Sequence, residues 1–312
     1  MPQFKKKVDV IIPTYHPEKA LSELIRRLEA QTLKPSHILI VNTEEALWDN
    51  SLVEEHPSVE VYHIEKAAFD HGGTRAMAAE LSDADILVYM TQDAMPADTC
   101  LLERLVRAFA DKRVKAAYAR QLPAKNCSPI ELCARFSNYP RYSDIRTADD
   151  LERLGIKTYF CSNVCAAYDH AFYEESGGFS SPCIFNEDMI YGGKVIKSGY
   201  AIAYVAEAEV YHSHNYSALQ QFHRYFDNGV SQADYPEVFE GLGVSGAGMA
   251  LVKQTARYLK KQGKWYLIPK LVWQNGMKLI GFKLGKRYQK LPRRLVRSFS
   301  LNKTYWDVHP DD

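Results

Sequence analysis

Among the 312 residues, no run reaches the ~20 uninterrupted apolar positions that a membrane-spanning helix requires. The six cysteines (Cys100, Cys127, Cys133, Cys161, Cys165, Cys183) form no Cys-x-x-Cys pair. That spacing removes a zinc ribbon and an exported disulfide framework from consideration and points to a reducing cytosol. The opening Phe4-Lys-Lys-Lys-Val-Asp-Val-Ile-Ile-Pro13 has a basic head, but its apolar run is too short for a secretory signal. There is no internal repeat and no low-complexity segment. Acid is the most unevenly missing chemistry: from Gly241 to Trp306 there are 15 Lys and Arg and no Asp or Glu. Residues 1–240 hold 24 basic and 35 acidic side chains, so a net charge of +1 conceals a bipartite chain.

What remains, 46% apolar and 25% charged, suits an ordinary globular protein: one large domain with an appendage, or two modest ones. Val8 to Ile12 reads as a buried strand ended by Pro13-Thr14-Tyr15. Leu21, Leu24, Ile25 and Leu28 then repeat at helical spacing. His37–Val41 and Val59–Ile64 are further strands, a short helix covers 74–82, and Ile86–Met90 is a fully apolar strand. A helix over 99–109 and a strand over 115–119 continue the alternation, which predicts an α/β fold with a mainly parallel sheet. Cys161–Cys165 reads as one more buried strand. The aromatic, Arg-bearing stretch 126–158 reads as a loop or helical flap. The region after Trp265 reads as helical, with Pro269 in a first turn or at a kink.

In an open α/β sheet, ligands gather beyond the carboxyl ends of the strands. Asp93 stands there, just past Ile86–Met90, and Pro13-Thr14-Tyr15 ends the first strand in the same way. Phe69-Asp-His-Gly-Gly-Thr-Arg75 runs from a polar loop into a helix, where Gly72 and Gly73 would let backbone N–H groups approach an anion and Arg75 would meet a phosphate. An ordinary Gly-rich helix start would look the same. Glu187 and Asp188 are neighbours, so one is expected to act while the other hydrogen-bonds nearby. His212 and His214, if extended, face one side. An acid at a strand end, an acid pair in a loop and a later histidine form the set a metal-assisted transfer enzyme needs.

The order Ile11-Ile-Pro-Thr-Tyr15, Thr91-Gln-Asp-Ala94, Gly177-Gly-Phe179 and Asn186-Glu-Asp188 resembles the family 2 inverting glycosyltransferases of the GT-A fold. Phe69-Asp-His-Gly-Gly-Thr-Arg75 taken with Thr91-Gln-Asp-Ala94 is similar, more narrowly, to bacterial rhamnosyltransferases that build cell-surface polysaccharide. The resemblance implies a Rossmann-like GT-A domain over 1–240 and a basic, mostly helical region over 241–312. It implies Asp188 as catalytic base, and Asp93 with His212 as ligands of Mg²⁺ or Mn²⁺. It also implies Pro13, Thr14 and Arg75 as groups lining the nucleotide diphosphate. Tyr15, Asn42 and Gln92 complete the expected nucleotide-binding set, with Asn42 placed to hydrogen-bond a base. Gln221-Phe-His-Arg224-Tyr225 is similar to the Gln-x-x-Arg-Trp segment of processive relatives. Two positions depart from the pattern: Thr91 replaces the first acid of Asp-x-Asp, and Val41-Asn-Thr43 replaces the acid usual at the second strand.

The implied donor is dTDP-L-rhamnose, with another donor such as a UDP-hexose or UDP-galactofuranose, or a non-catalytic nucleotide-sugar-binding subunit, as the alternatives. The implied acceptor is a lipid-linked or other oligosaccharide. The acidic catalytic domain argues against nucleic acid as a partner. A nucleotidyltransferase would need a Gly-rich basic loop after its first strand, which Pro13-Thr-Tyr-His-Pro17 is not. The basic C-terminal region is expected to dock on the inner face of the cytoplasmic membrane. Ile268, Leu271, Val272, Leu279 and Phe282 would form one apolar helix face, and Lys283–Arg297 a cationic anchor. Packing of that stripe on the first domain, or a homo-oligomer through it, is the competing expectation.

Overall fold

The computed structural model describes residues 6–242 and 246–309. Nine strands form one sheet: β1 (Val8–Tyr15), β2 (His37–Thr43), β3 (Val59–Ile64), β4 (Ile86–Met90), β5 (Met95–Pro96), β6 (Val114–Leu122), β7 (Asp144–Arg146), β8 (Cys165–Asp169) and β9 (Ala201–Tyr211). Their order is β3-β2-β1-β4-β8-β6-β9-β5, with β7 also on β9. The first four are parallel, as the alternation of strands and helices requires. Beyond β4 the sheet is mixed, because β8 lies antiparallel between β4 and β6 while β6 and β9 run parallel. As a result β1, β2, β4, β6 and β9 all end on one edge, and β8 begins on it.

Each face of the sheet carries a core. Val8, Val10 and Ile12 of β1 point to one side, against Leu21, Leu24, Ile25 and Leu28 of α1 (Ala20–Glu29). Ile11 points to the other, where α2 (His71–Glu80) packs. α3 (Leu101–Arg107) joins the α1 side. The 126–158 stretch folds as α4 (Pro129–Asn138), the edge strand β7 and α5 (Leu151–Leu154). α6 (His170–Glu175) and α7 (Glu187–Lys197) complete the α2 side, which is aromatic. Tyr89, Tyr168, Phe179 and Tyr191 meet edge to face at 5.2–5.7 Å. Buried tyrosines require partners for their hydroxyls. Tyr89 donates to the Arg75 carbonyl at 2.8 Å, and Tyr168 to Asn163 Oδ1 at 2.7 Å.

Two local expectations change. Cys161–Val164 is not strand: Cys165 N–H closes a turn onto Ser162 O, and β8 starts only there. α2 starts three residues earlier than its apolar spacing indicates, because Asp70 caps it by accepting from Gly72 and Gly73 N–H at 2.9 and 2.8 Å.

The remaining helices are α8 (Ala218–Asp234), α9 (Pro236–Phe239), α10 (Ala247–Lys261), α11 (Ile268–Gly285), α12 (Arg293–Phe299) and α13 (Lys303–Val308). Pro269 lies in the first turn of α11, where its missing N–H costs nothing. α8 and α11 touch backbone to backbone. A Cβ on Gly285 would stand 2.1 Å from Phe226 O, on Gly281 2.3 Å from Phe222 O, and on Gly229 2.4 Å from Phe282 O. α12 and α13 are tied to α8 as well, since Asp227 accepts the Leu301 N–H at 2.8 Å and His223 meets the Phe299 carbonyl at 2.7 Å. Gly285→Ala should therefore destabilise the protein by roughly 1–3 kcal/mol, since neither backbone can retreat. Gly276→Ala on the same helix, with open space around its Cβ, should be neutral or slightly stabilising. Urea unfolding of the two variants checks the contrast; equal stability would remove the close seam.

Candidate active site

Asp93 leaves β4, and His212 and His214 leave β9, on the edge where both strands end. Asp93 Oδ2 is 3.1 Å from His214 Nε2 and 3.5 Å from His212 Nε2, and the two Nε2 atoms are 3.0 Å apart. His212 Nδ1 faces Gln121 Oε1 at 3.1 Å. Oxygen there accepts only, so Nδ1 carries the proton and Nε2 turns its lone pair toward Asp93 and His214. Gln121 is itself held, donating to Ser162 Oγ at 3.0 Å and accepting from Arg135. Two imidazole nitrogens and a carboxylate oxygen aimed at one point are a donor set for a divalent cation. Burial of Asp93 works against its charge, but the two neighbouring imidazoles outweigh this and hold the carboxyl well below the usual range. Burial keeps His212 neutral against the pull of Asp93.

The acid pair lies at the start of α7, after Asn186 in the left-handed region (φ 64°), a conformation asparagine tolerates. Both carboxylates meet one residue. Asn163 gives its backbone N–H to Asp188 Oδ2 at 3.0 Å and its side-chain amide to Glu187 Oε1 at 3.0 Å. Glu187 is buried and also faces Arg75 Nε at 3.3 Å. Burial opposes its charge, yet Arg75 and His71 hold it ionised, below the ordinary value. Asp188 is only partly buried and accepts a second N–H, from Met189 at 2.8 Å. Burial and the Glu187 charge beside it raise its pKa, against those two N–H bonds.

The strand-end residues divide into two groups. β1 pairs with β4 only as far as Ile11, so Pro13 and Tyr15 border an opening between the two strands, whereas Thr14 is buried. Gln92 bridges it, accepting the Tyr15 N–H at 3.0 Å and donating to the Tyr15 carbonyl at 3.2 Å. Tyr15 is 48% exposed with Lys66 over its ring. Asn42, by contrast, is fully buried. It accepts from Thr14 and directs its amide nitrogen to Glu44 O and His63 Nδ1, all at 3.1 Å, so its hydrogen bonds are spent inside the protein rather than on a base. Arg75 likewise turns inward, to Glu187 and to the His71 carbonyl at 2.9 Å, and is only 6% exposed. Nor is the Gly72-Gly73 helix start an open anion site. Asp70 occupies its N–H groups, and a Cβ on Gly72 would meet the Ser180 carbonyl at 1.8 Å.

Three residues lay outside the sequence-based site. His214 carried a signal in its spacing from His212. Gln121 and Asn163 carried none, because each reaches the site through strand order.

The chain is 37% identical over 303 residues to the O-antigen chain rhamnosyltransferase RfbN of Salmonella typhimurium, covering 96% of each protein. It is 37% identical over 310 residues to the O-antigen chain rhamnosyltransferase WbaN of Salmonella anatum, covering 98% of this chain and 96% of that one. The sequence profile of glycosyl transferase family 2 matches residues 9–177. The chain belongs to glycosyl transferase family 2. It is a glycosyltransferase, and the strands bearing Tyr15, Asn42 and Asp93 fall inside the matched region, whereas Asp188 and the histidines lie beyond it. Among solved structures, it resembles the mannosyltransferase PcManGT of Pyrobaculum calidifontis in complex with GDP-Man and Mn²⁺ (TM-score 0.58, 15% identity, 98% of this chain and 86% of that chain). It also resembles Staphylococcus aureus TarS 1–349 in complex with UDP (TM-score 0.53, 13% identity, 91% of each chain). At these identities the likeness establishes a shared GT-A-type fold for the transferase.

Proposed function

We propose that this transferase moves L-rhamnose from dTDP-L-rhamnose to a lipid-linked oligosaccharide during cell-surface glycan synthesis, on the cytoplasmic face of the membrane. The observation that carries the donor is the near-full-length identity to two O-antigen chain rhamnosyltransferases. Asp188, raised in pKa and only partly buried, takes the proton from the acceptor hydroxyl. Attack opposite the departing nucleotide inverts the anomeric carbon, which gains oxocarbenium character as in glycoside hydrolysis. A β-linked rhamnose donor then yields an α-rhamnoside. Glu187, Arg75 and Asn163 act from behind, fixing the Asp188 carboxylate at the start of α7. Pro13, Tyr15 and Gln92 form the wall against which the nucleotide lies, with the Tyr15 ring open to stack on the base. Asp93, His212 and His214 hold Mn²⁺ or Mg²⁺, which when bound offsets the charge growing on the leaving diphosphate. The two imidazole ligands favour Mn²⁺.

Donor hydrolysis across a panel of nucleotide sugars tests this reading. dTDP-L-rhamnose should be consumed at least about tenfold faster than UDP-glucose or UDP-galactofuranose, a difference of about 1.4 kcal/mol in transition-state binding. Preference for a UDP sugar would overturn the donor while leaving the family standing.

A further inference from the structure

α11 presents three faces. Gly281 and Gly285 lie against α8. Leu271 and Gln274 face inward, and Gln274 donates to the Tyr216 carbonyl at 2.9 Å, two residues from His214. The third face looks outward and carries Val272, Trp273, Leu279 and Ile280, prolonged by Trp265 and Tyr266 in the turn before the helix. Exposure on this face runs from 50% at Ile280 to 68% at Trp265. The stripe read from sequence is thereby divided, since Leu271 is buried while Val272 and Leu279 are not. At 100° per residue, the four outward helix positions span about 120°. Lys283 continues the same arc, exposed, and Arg287 follows just past the helix end, exposed too.

We infer that this outward face docks the protein on an anionic lipid bilayer. The aromatic and branched side chains enter the boundary between headgroups and acyl chains, and Lys283 and Arg287 meet lipid phosphates. Two exposed tryptophans and a tyrosine in one patch suit that boundary, which accepts rings with an apolar body and a polar edge. The charge that this segment itself offers has one sign, with no acid between residues 241 and 306. A second copy of the face is a poorer occupant, because it offers Lys283 and Arg287 no acid from this segment to pair with. The glycine seam holds the patch rigidly on the catalytic domain. The inference deepens the reading of a lipid-linked acceptor, but its test does not depend on that reading.

Flotation of the full chain with phosphatidylethanolamine–phosphatidylglycerol vesicles, and with phosphatidylcholine vesicles, provides the test. The protein should float with the anionic vesicles and weakly or not at all with the neutral ones. Trp273→Ser with Ile280→Ser should lower binding about tenfold or more. Lys283→Gln with Arg287→Gln should lower it about 25-fold on anionic vesicles only, at about fivefold per cation. All four side chains are exposed, so hydrolysis of dTDP-L-rhamnose in vesicle-free buffer should be unchanged in both variants. This also separates a failure here from a failure of the donor assignment. Equal flotation of the parent and both variants would overturn the inference. So would an absence of flotation with the parent in a sedimenting dimer that the Trp273/Ile280 variant dissolves, which would make the face a contact between copies.

Discussion

Asp188→Asn should bind the nucleotide sugar as the parent does and turn over at least ~10² more slowly. The amide oxygen can keep one of the two backbone N–H bonds, from Asn163 or Met189, so the start of α7 should hold its shape. What disappears is the lone pair that receives the acceptor proton. Single-turnover transfer measured beside donor affinity by calorimetry separates the two effects. Turnover near the parent's would move the base to Glu187. The geometry opposes that choice, because Glu187 is buried and engaged by Arg75 and Asn163. The pH dependence follows from the same pair. The pKa of Asp188 is raised, so its base form is lost as pH falls, at a higher pH than for an ordinary carboxylate. Glu187→Gln removes a neighbouring negative charge and leaves Arg75 uncompensated. Both changes favour ionised Asp188, so the acid limb of the rate profile should move to lower pH. A limb that stays in place would mean that another group sets it.

Chelation should abolish transfer, and Asp93→Ala should remove metal-dependent nucleotide binding, the second large effect. Asp93, His212 and His214 converge on one point from two strand ends. Gln121→Leu touches no ligand position directly but frees His212 to adopt the other tautomer. It should weaken Mn²⁺ binding about 10–100-fold, the range usual for an outer-shell partner. Titration of Mn²⁺ in the presence of nucleoside diphosphate measures both variants. Full activity in excess chelator would sink the metal assignment, and unchanged affinity in Gln121→Leu would remove that glutamine from it.

How much of this was readable beforehand depends on distance along the chain. The Val8–Ile12 and Ile86–Met90 runs announce their strands because burial on both faces leaves only apolar residues there. The Leu21–Leu28 spacing announces its helix in the same local way. Asp93 and His212 stand out because an acid or histidine just past an apolar run is a local event, whereas Asp188 is preferred to Glu187 only through the family resemblance. Asn163 could not, since its role depends on β8 running antiparallel between β4 and β6, which brings the start of that strand to the site edge. Asn42 and Arg75 stand in the expected places along the chain, but the direction of a side chain is decided by neighbours from other segments. Thr14 and His63 absorb the first, and Glu187 the second. On α11, periodicity puts Leu271 on one face with Val272 and Leu279; it cannot say that glycines draw the helix onto α8, burying the first and turning the others outward.

The strand order also bears on how the chain reaches its native state. Asp93 and His212 are more than a hundred residues apart in sequence, and they meet only once β9 has been laid beside β6. Pairings so distant make for slow closure, because the loop entropy is spent before the contact is made. An ion that recognises only the completed triad has nothing to grip in the partly closed chain. It would leave the refolding rate almost untouched and lengthen the lifetime of the finished fold instead.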